Sequence, residues 1–185
     1  MAILEEVSDE IIKRRKELLK RPTWEEYYVT MAHIVAQRSF DPSSKCGCVL
    51  VSKDNRVLST GYNGPLKGSV DEEIPLTRPE KYCHMIHSEE NSLLAYGGSH
   101  KDIQGATAYI TGPPCHRCLR MMLQKGITKL VYAEQNIKCV DEDDKKAQEI
   151  MLRHRDIIIK IIPNEKIVEL LNQTIDYMPQ KEKEK

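Results

Sequence analysis

Two short motifs, His87-Ser88-Glu89 and Pro114-Cys115-His116-Arg117-Cys118, constrain the fold of this 185-residue chain more than any other feature. Each lies where the pattern predicts the start of a helix, and Gly126 marks the predicted end of the second helix. Two cysteines three residues apart on a first helical turn lie on one side of it, where the helix dipole favours the thiolate. The two motifs are therefore expected to converge, with Cys115 and Cys118 as a chelating pair.

The chelating pair and His87 together offer three ligands to a metal ion. Catalytic zinc sites have three protein ligands and leave the fourth tetrahedral position to water. Zinc lowers the pKa of that water from about 15.7 to roughly 7, which provides hydroxide at neutral pH. Glu89 is predicted to shuttle protons from the water to a substrate ring nitrogen and then to departing ammonia. This His-x-Glu and Pro-Cys-x-x-Cys pattern is the signature of zinc deaminases.

Hydrophobic patterning predicts an α/β fold in three layers. Apolar and β-branched runs predict five strands, the first two joined as a hairpin, at 46–52, 56–62, 106–110, 129–133 and 156–162. Helical spacing predicts helices over 23–38, 87–96, 115–125 and 141–155. Strand, helix, strand order implies parallel crossovers, so we expect a five-stranded mixed sheet with helices on both faces.

Three segments are expected along the chain. Residues 1–22 are predicted to form a helical appendage, 23–165 the zinc-dependent domain, and 166–185 a C-terminal helix followed by a disordered charged tail. Inside the domain, 64–82 is predicted to be a long surface loop because it contains several prolines and glycines and has no sustained period.

Charge and composition limit the partners. Lys plus Arg and Asp plus Glu number 28 each, so no global positive field favours nucleic acid or anionic lipid, and a small substrate is expected. No apolar run approaches the roughly 20 residues of a membrane span, and the acidic N-terminus differs from a signal peptide. We therefore expect a cytoplasmic protein, in the host cytoplasm if its source is viral. The six cysteines could form three disulfides, but a chain with a real core does not need them.

Beyond the two motifs, the chain resembles the deoxycytidylate (dCMP) deaminase family, of phage and microbial type, from Arg21 to Ile162. The resemblance is carried, in the order and spacing of that family, by Arg21-Pro22 with Trp24, Ala36-Gln37-Arg38-Ser39 with Asp41-Pro42, Gly61-Tyr62-Asn63-Gly64, His87-Ser88-Glu89 with Asn91, and Pro114-Cys115 with Cys118. Relatives commonly carry alanine where this chain has Ser88. The resemblance implies the three-layer α/β/α cytidine-deaminase-like fold.

The resemblance also implies a reaction and a set of ligands. The reaction is hydrolysis of dCMP to dUMP and ammonia, which supplies dUMP for thymidylate synthesis. Asn63 would bind the sugar, and Arg38 with Ser39 would help hold the phosphate. The segment Gly61-Tyr62-Asn63-Gly64 would form an allosteric site at which dCTP, with Mg²⁺, activates and dTTP inhibits. The chain would form a homo-oligomer, with a hexamer favoured.

Several alternatives remain open from sequence. The substrate could be dCTP, CMP or a tRNA adenosine, or the zinc could stabilise a non-catalytic binding module, which would have no need of Glu89. Arg38 could form a surface ion pair, and the two glycines of the allosteric segment could make a tight turn. Some phage relatives hold a second, structural zinc, but Cys46 and Cys48 are interpreted as small apolar residues of a strand.

Overall fold

The computed structural model describes residues 11–14, 21–135 and 142–176. The strands of this part of the chain are β1 (Gly47–Val51), β2 (Val57–Tyr62), β3 (Gly64–Pro65), β4 (Met85–Ile86), β5 (Thr107–Ile110), β6 (Lys129–Ala133) and β7 (Ile158–Ile162). Five of them form one sheet in the order β2-β1-β5-β6-β7. β1 is antiparallel to both β2 and β5, whereas β5, β6 and β7 are parallel. The predicted mixed sheet, with its hairpin and its crossovers, is confirmed.

The helices are α1 (Trp24–Ala36), α2 (Ser88–Ala95), α3 (His100–Ile103), α4 (His116–Gln124), α5 (Glu142–Leu152) and α6 (Asn164–Asp176). The predicted loop at 64–82 contains more structure than expected. It begins with β3, which pairs with β4, and it holds the 3₁₀ turns Asp71–Glu73 and Glu80–Cys83. Elements of two to four residues are too short to show a hydrophobic period, so the sequence pattern does not indicate them.

The strand β1 shows how the layers are built. All five of its residues are buried, so both faces of the sheet are covered at its centre. Cys48 and Leu50 pack in a cluster with residues of α2 and α4, whereas Val49 and Val51 pack in a second cluster with residues of α1 and α6. Alternate side chains of a strand point to opposite faces, so the predicted three-layer α/β/α arrangement is confirmed.

Helix α1 begins as predicted, at a capping box. The Thr23 backbone N–H donates to Glu26 at 2.7 Å, and the Glu26 N–H donates to the Thr23 hydroxyl at 3.2 Å. One face of this helix is buried. Tyr28, Val29 and Ala32 are buried, whereas Trp24 is 54% exposed and stacks on the Tyr28 ring at 5.5 Å.

The structure describes the ends of the chain only in part. Residues 11–14 of the predicted appendage are helical and exposed, and most of its other residues lie outside the described part. Helix α6 packs on the core through the buried Ile167, so the described part of the 166–185 segment is not separate from the domain. The predicted charged tail at 181–185 lies outside the described residues. No described helix has the length and apolar character needed to cross a membrane.

Candidate active site

The side chains of His87, Cys115 and Cys118 meet between the starts of two helices. His87 is the N-cap of α2, Cys115 is the N-cap of α4, and Cys118 lies in the first turn of α4. His87 Nδ1 lies 3.6 Å from the Cys115 Sγ and 3.5 Å from the Cys118 Sγ. All three ligand atoms lie within 4.8 Å of one another, and this is the one such group of three found among the described residues. The predicted convergence of the two motifs is therefore present.

The spacing of these atoms fits a zinc ion. A tetrahedral zinc with Zn–S of about 2.3 Å and Zn–N of about 2.0–2.1 Å places a nitrogen and a sulfur ligand about 3.6 Å apart. The observed separations of 3.6 and 3.5 Å match this value. One imidazole and two thiolates are also ligands that zinc prefers. The three residues could thus hold zinc and leave its fourth position open.

Each of the two cysteines shifts the pKa of the other. A hydrogen bond to Cys118, assisted by one to His87, lowers the pKa of the Cys115 thiol to about 3 despite its burial. The hydrogen bond to Cys115, together with burial, raises the pKa of the Cys118 thiol. Zinc binds cysteine as the thiolate, so any proton that the pair still carries has to leave when the metal binds.

Glu89 lies in the first turn of α2 and is only 5% exposed. The Ser88 hydroxyl donates a hydrogen bond to Glu89 Oε2 at 2.8 Å. Burial raises the pKa of the Glu89 carboxyl, although this hydrogen bond opposes the change. A carboxyl whose pKa is raised toward neutrality can both accept and return a proton, which is what a proton shuttle requires.

His87, Glu89 and Cys115 line one cavity of about 200 Å³. Asn63 lines the same cavity. The Asn63 Nδ2 donates to the Ser44 carbonyl at 2.8 Å, and its Oδ1 accepts from the Cys46 N–H at 2.7 Å. A primary amide has two N–H donors and two lone pairs on its oxygen, so one of each remains for a ligand.

The structure places the other two predicted substrate residues away from this cavity. Ser39 is buried, donates its hydroxyl to the Asn63 carbonyl at 2.9 Å and accepts from the Asp41 N–H at 3.2 Å. Arg38 is exposed and lines a different cavity. Within one chain, Ser39 therefore supports the wall of the first cavity, and Arg38 does not reach it.

The second cavity, of about 750 Å³, brings together Arg38 and three of the four residues predicted to be allosteric, Gly61, Tyr62 and Gly64. The fourth, Asn63, lines the first cavity, so the segment separates the two. Gly61 has a packing reason of its own. A Cβ there would lie 2.3 Å from the Ser88 carbonyl oxygen, so its absence lets α2 pack directly on β2.

Among the residues of the first cavity that were not predicted as site residues, four have charged or aromatic side chains: Asp41, Arg78, Lys81 and Tyr82. Lys81 forms a salt bridge with Asp41 at 2.7 Å, and both side chains are almost fully buried. Arg78 lies over the Tyr82 ring, with 5.5 Å between Cζ and the ring centroid. The sequence signal that could have indicated them is proximity to the His87 motif, since three of them lie five to nine residues before His87.

Comparison with known proteins relates this geometry to a family. Residues 22–134 match the model of the cytidine and deoxycytidylate deaminase zinc-binding region. Deoxycytidylate deaminase of Mycobacterium phage D29 is 35% identical over 131 residues, which cover 64% of this chain and 100% of that protein. The Homo sapiens deoxycytidylate deaminase is 29% identical over 164 residues, 85% of this chain and 88% of that one. The crystal structure of the cyanophage S-TIM5 dCMP deaminase in complex with dCMP and dUMP covers 77% of this chain and 98% of its own, with a TM-score of 0.57 and 24% identity.

Proposed function

Because the chain belongs to the zinc-dependent cytidine and deoxycytidylate deaminase family, we propose that it hydrolyses dCMP to dUMP and ammonia. The observation that carries the proposal is the joint placement of His87, Cys115 and Glu89 on one cavity, with Cys118 completing the ligand set. The names of the relatives, which include phage and animal deoxycytidylate deaminases, support dCMP as the substrate. We assign the activity to the domain at 23–165.

The reaction exchanges the 4-amino group of cytosine for the oxygen of one water molecule. Zinc held by His87, Cys115 and Cys118 would supply a water acidified to a pKa of roughly 7. Glu89 would accept a proton from that water and deliver it to the ring nitrogen N3. It would then move the second proton to the departing amino group, so that ammonia leaves and the uracil carbonyl forms. The burial that raises the pKa of Glu89 suits this alternation.

Asn63 is proposed to hold the sugar of the substrate. Its amide is fixed by the hydrogen bonds to Ser44 and Cys46, so its remaining donor and acceptor point in a defined direction. A fixed amide binds a hydroxyl without losing further side-chain entropy. The Ser39 hydroxyl, bonded to the Asn63 carbonyl, adds to this rigidity.

We further propose that dCTP activates and dTTP inhibits the enzyme through the second cavity. Arg38 and Lys67, both exposed, line this cavity and would give a triphosphate two cations. Asp71 lines it too and offers a carboxylate oxygen of the kind that Mg²⁺ binds.

One short segment, residues 61–64, contributes to the walls of both cavities. Asn91 in α2 donates to the Tyr62 carbonyl at 2.8 Å, and Glu89 lies in the first turn of the same helix. An effector that binds two arrangements of this segment with different affinity would therefore shift the position of Asn63 and Glu89.

A homo-oligomer, with a hexamer favoured, is part of the same proposal. Large apolar side chains are exposed on the surface, among them Leu66 at 67%, which lines the second cavity, and Leu94 at 69%. Oligomer interfaces bury such surface. Light scattering coupled to size-exclusion chromatography, with and without dCTP, tests the assembly.

One set of assays tests the substrate and the regulation together. Ammonia release is measured from dCMP, CMP, dCTP and deoxycytidine in parallel, each with and without added dCTP or dTTP. We expect dCMP to be the best substrate and its saturation curve to shift in opposite directions with the two triphosphates. Preference for another compound would refute dCMP, and curves that neither triphosphate changes would refute the regulation alone.

A further inference from the structure

Two basic side chains line the first cavity besides the metal ligand His87. They are Lys81 and Arg78. The Lys81 ammonium contacts Asp41 Oδ2 at 2.7 Å and Oδ1 at 3.0 Å, and also the Ser43 hydroxyl. The side chains of Lys81 and Asp41 are 3% and 4% exposed. The ammonium of Lys81 is therefore already neutralised and committed to the protein interior.

Arg78 differs from Lys81 in each of these respects. Its side chain is exposed, and among the described residues no carboxylate pairs with it. One face of its guanidinium lies against the Tyr82 ring at 5.5 Å, and its Nη2 donates to the Ser44 hydroxyl at 3.4 Å. These contacts hold the group at the cavity while most of its five N–H donors remain available.

We propose that Arg78 binds the 5′-phosphate of the nucleotide and so makes the enzyme selective for nucleotides over nucleosides. This inference rests on the proposed function, because the cytosine amino group has to reach Glu89 and His87. With the base placed there, the phosphate has to meet another part of the same cavity. Of the two basic side chains at this cavity, Arg78 is the one that no carboxylate of the described residues neutralises. The planar fork of its guanidinium matches two phosphate oxygens.

The proposal assigns to Arg78 the role that the sequence predicts for Arg38. The two arginines line different cavities, and Arg78 shares its cavity with His87, Glu89 and Asn63. Since Arg78 is exposed, the phosphate stays partly hydrated. The loss on removing the guanidinium is therefore expected to be about 10- to 100-fold in affinity, as for a charge-assisted hydrogen-bonded pair.

Equilibrium binding to the zinc-loaded, full-length protein tests the assignment without turnover. Isothermal titration calorimetry measures the Kd of dUMP and of deoxyuridine for wild type, Arg78→Gln and Arg78→Lys, with no triphosphate present. Arg56→Gln is the matched control, since Arg56 is an exposed arginine on the hairpin between β1 and β2. Arg38→Gln is measured beside it as the competing assignment.

We expect Arg78→Gln to weaken dUMP by about 10- to 100-fold and deoxyuridine by less than about threefold. Arg78→Lys, which keeps the charge but not the fork, is expected to lose less. Arg56→Gln is expected to match wild type. The kcat/KM for dCMP relative to deoxycytidine is expected to fall with Arg78→Gln in the same proportion as the affinity for dUMP.

Three results would overturn the assignment. The first is that Arg78→Gln leaves the affinity for dUMP unchanged. The second is that it weakens dUMP and deoxyuridine equally, which would indicate a role in loop packing. The third is that Arg38→Gln produces the selective loss instead. Failure of the proposed function looks different. In that case the wild-type protein releases no ammonia from dCMP and does not bind dUMP, whereas a wrong assignment of Arg78 leaves both intact.

Discussion

Replacing Asp41 by asparagine is expected to destabilise the protein strongly, because Asp41 holds a buried ammonium. The Asp41 carboxylate binds Lys81 at 2.7 Å and also accepts from the Ser43 N–H and hydroxyl, both at 2.8 Å, and from the Ser44 N–H at 3.2 Å. Burial favours the neutral acid, but the hydrogen bonds from Lys81 and Ser43 outweigh it, so the pKa of Asp41 is lowered. Lys81 depends more on Asp41 than Asp41 depends on Lys81, since in the described part of the chain its ammonium binds Asp41 and one other group, the Ser43 hydroxyl.

This asymmetry sets the expected magnitudes. Asp41→Asn leaves an uncompensated buried ammonium, which costs about 3–5 kcal/mol in the free energy of unfolding. Lys81→Met leaves a carboxylate that keeps three local donors, so we expect a smaller loss of about 2–3 kcal/mol. The double variant removes both charges and is expected to lose only about 0–1 kcal/mol. The coupling between the two sites is therefore at least about 4 kcal/mol.

Urea unfolding in saturating zinc measures these differences, with an unchanged m-value showing that the same transition is followed. Asp54→Asn, at an exposed position of the first hairpin, is the control and is expected to change the free energy by less than about 0.5 kcal/mol. A loss below about 1 kcal/mol for Asp41→Asn would refute the reasoning. So would a double variant whose loss equals the sum of the single losses, since the two residues would then not be coupled.

Three further predictions concern the metal, the shuttle and pH. Cys115→Ala/Cys118→Ala is expected to abolish zinc binding by metal analysis, and full occupancy at this site would remove the basis of the mechanism. Glu89→Gln is expected to keep the fold and zinc but to lose about 10²–10⁴-fold in kcat for ammonia release, and near-normal turnover would mean that another residue moves the protons. The hydrogen bond from Lys129 lowers the pKa of Glu25 from 4.5 to about 2. The ionised Glu25 therefore stabilises the folded protein fully above pH 4.5, and this contribution is lost as the pH falls through about 2. Glu25→Gln should therefore flatten the acid dependence of unfolding, and an unchanged dependence would contradict this.

The sheet and the convergence of the two motifs could be predicted because both depend on local sequence. The apolar and β-branched runs of β1, β5 and β6 are long enough to show their pattern, and a mixed sheet follows from one hairpin and two parallel crossovers. The convergence of His87 with Cys115 follows because each lies at a helix start. Both features can be predicted without knowing which distant residues are in contact.

The residues around the metal site could not be predicted in the same way. Arg38 and Arg78 have the same side chain, and nothing in the neighbouring sequence states which cavity each one lines. The path of the 64–82 segment decides which cavity Arg78 lines, and the short elements of this segment show no hydrophobic period. The pairing of Asp41 with Lys81 joins positions 40 residues apart, which is a contact that patterning does not reveal.

The position of Ser39 and Asp41 shows why recognising a family motif does not by itself reveal which groups its residues contact. The two side chains are two residues apart, and both are used to shape the chain around the first cavity. Ser39 fixes the backbone of Asn63, and Asp41 fixes both Lys81 and the turn at Ser43. Asn63 in turn holds the turn through its own amide. A buried network of this kind costs free energy if any member is lost, so it constrains these residues even if none of them contacts the substrate.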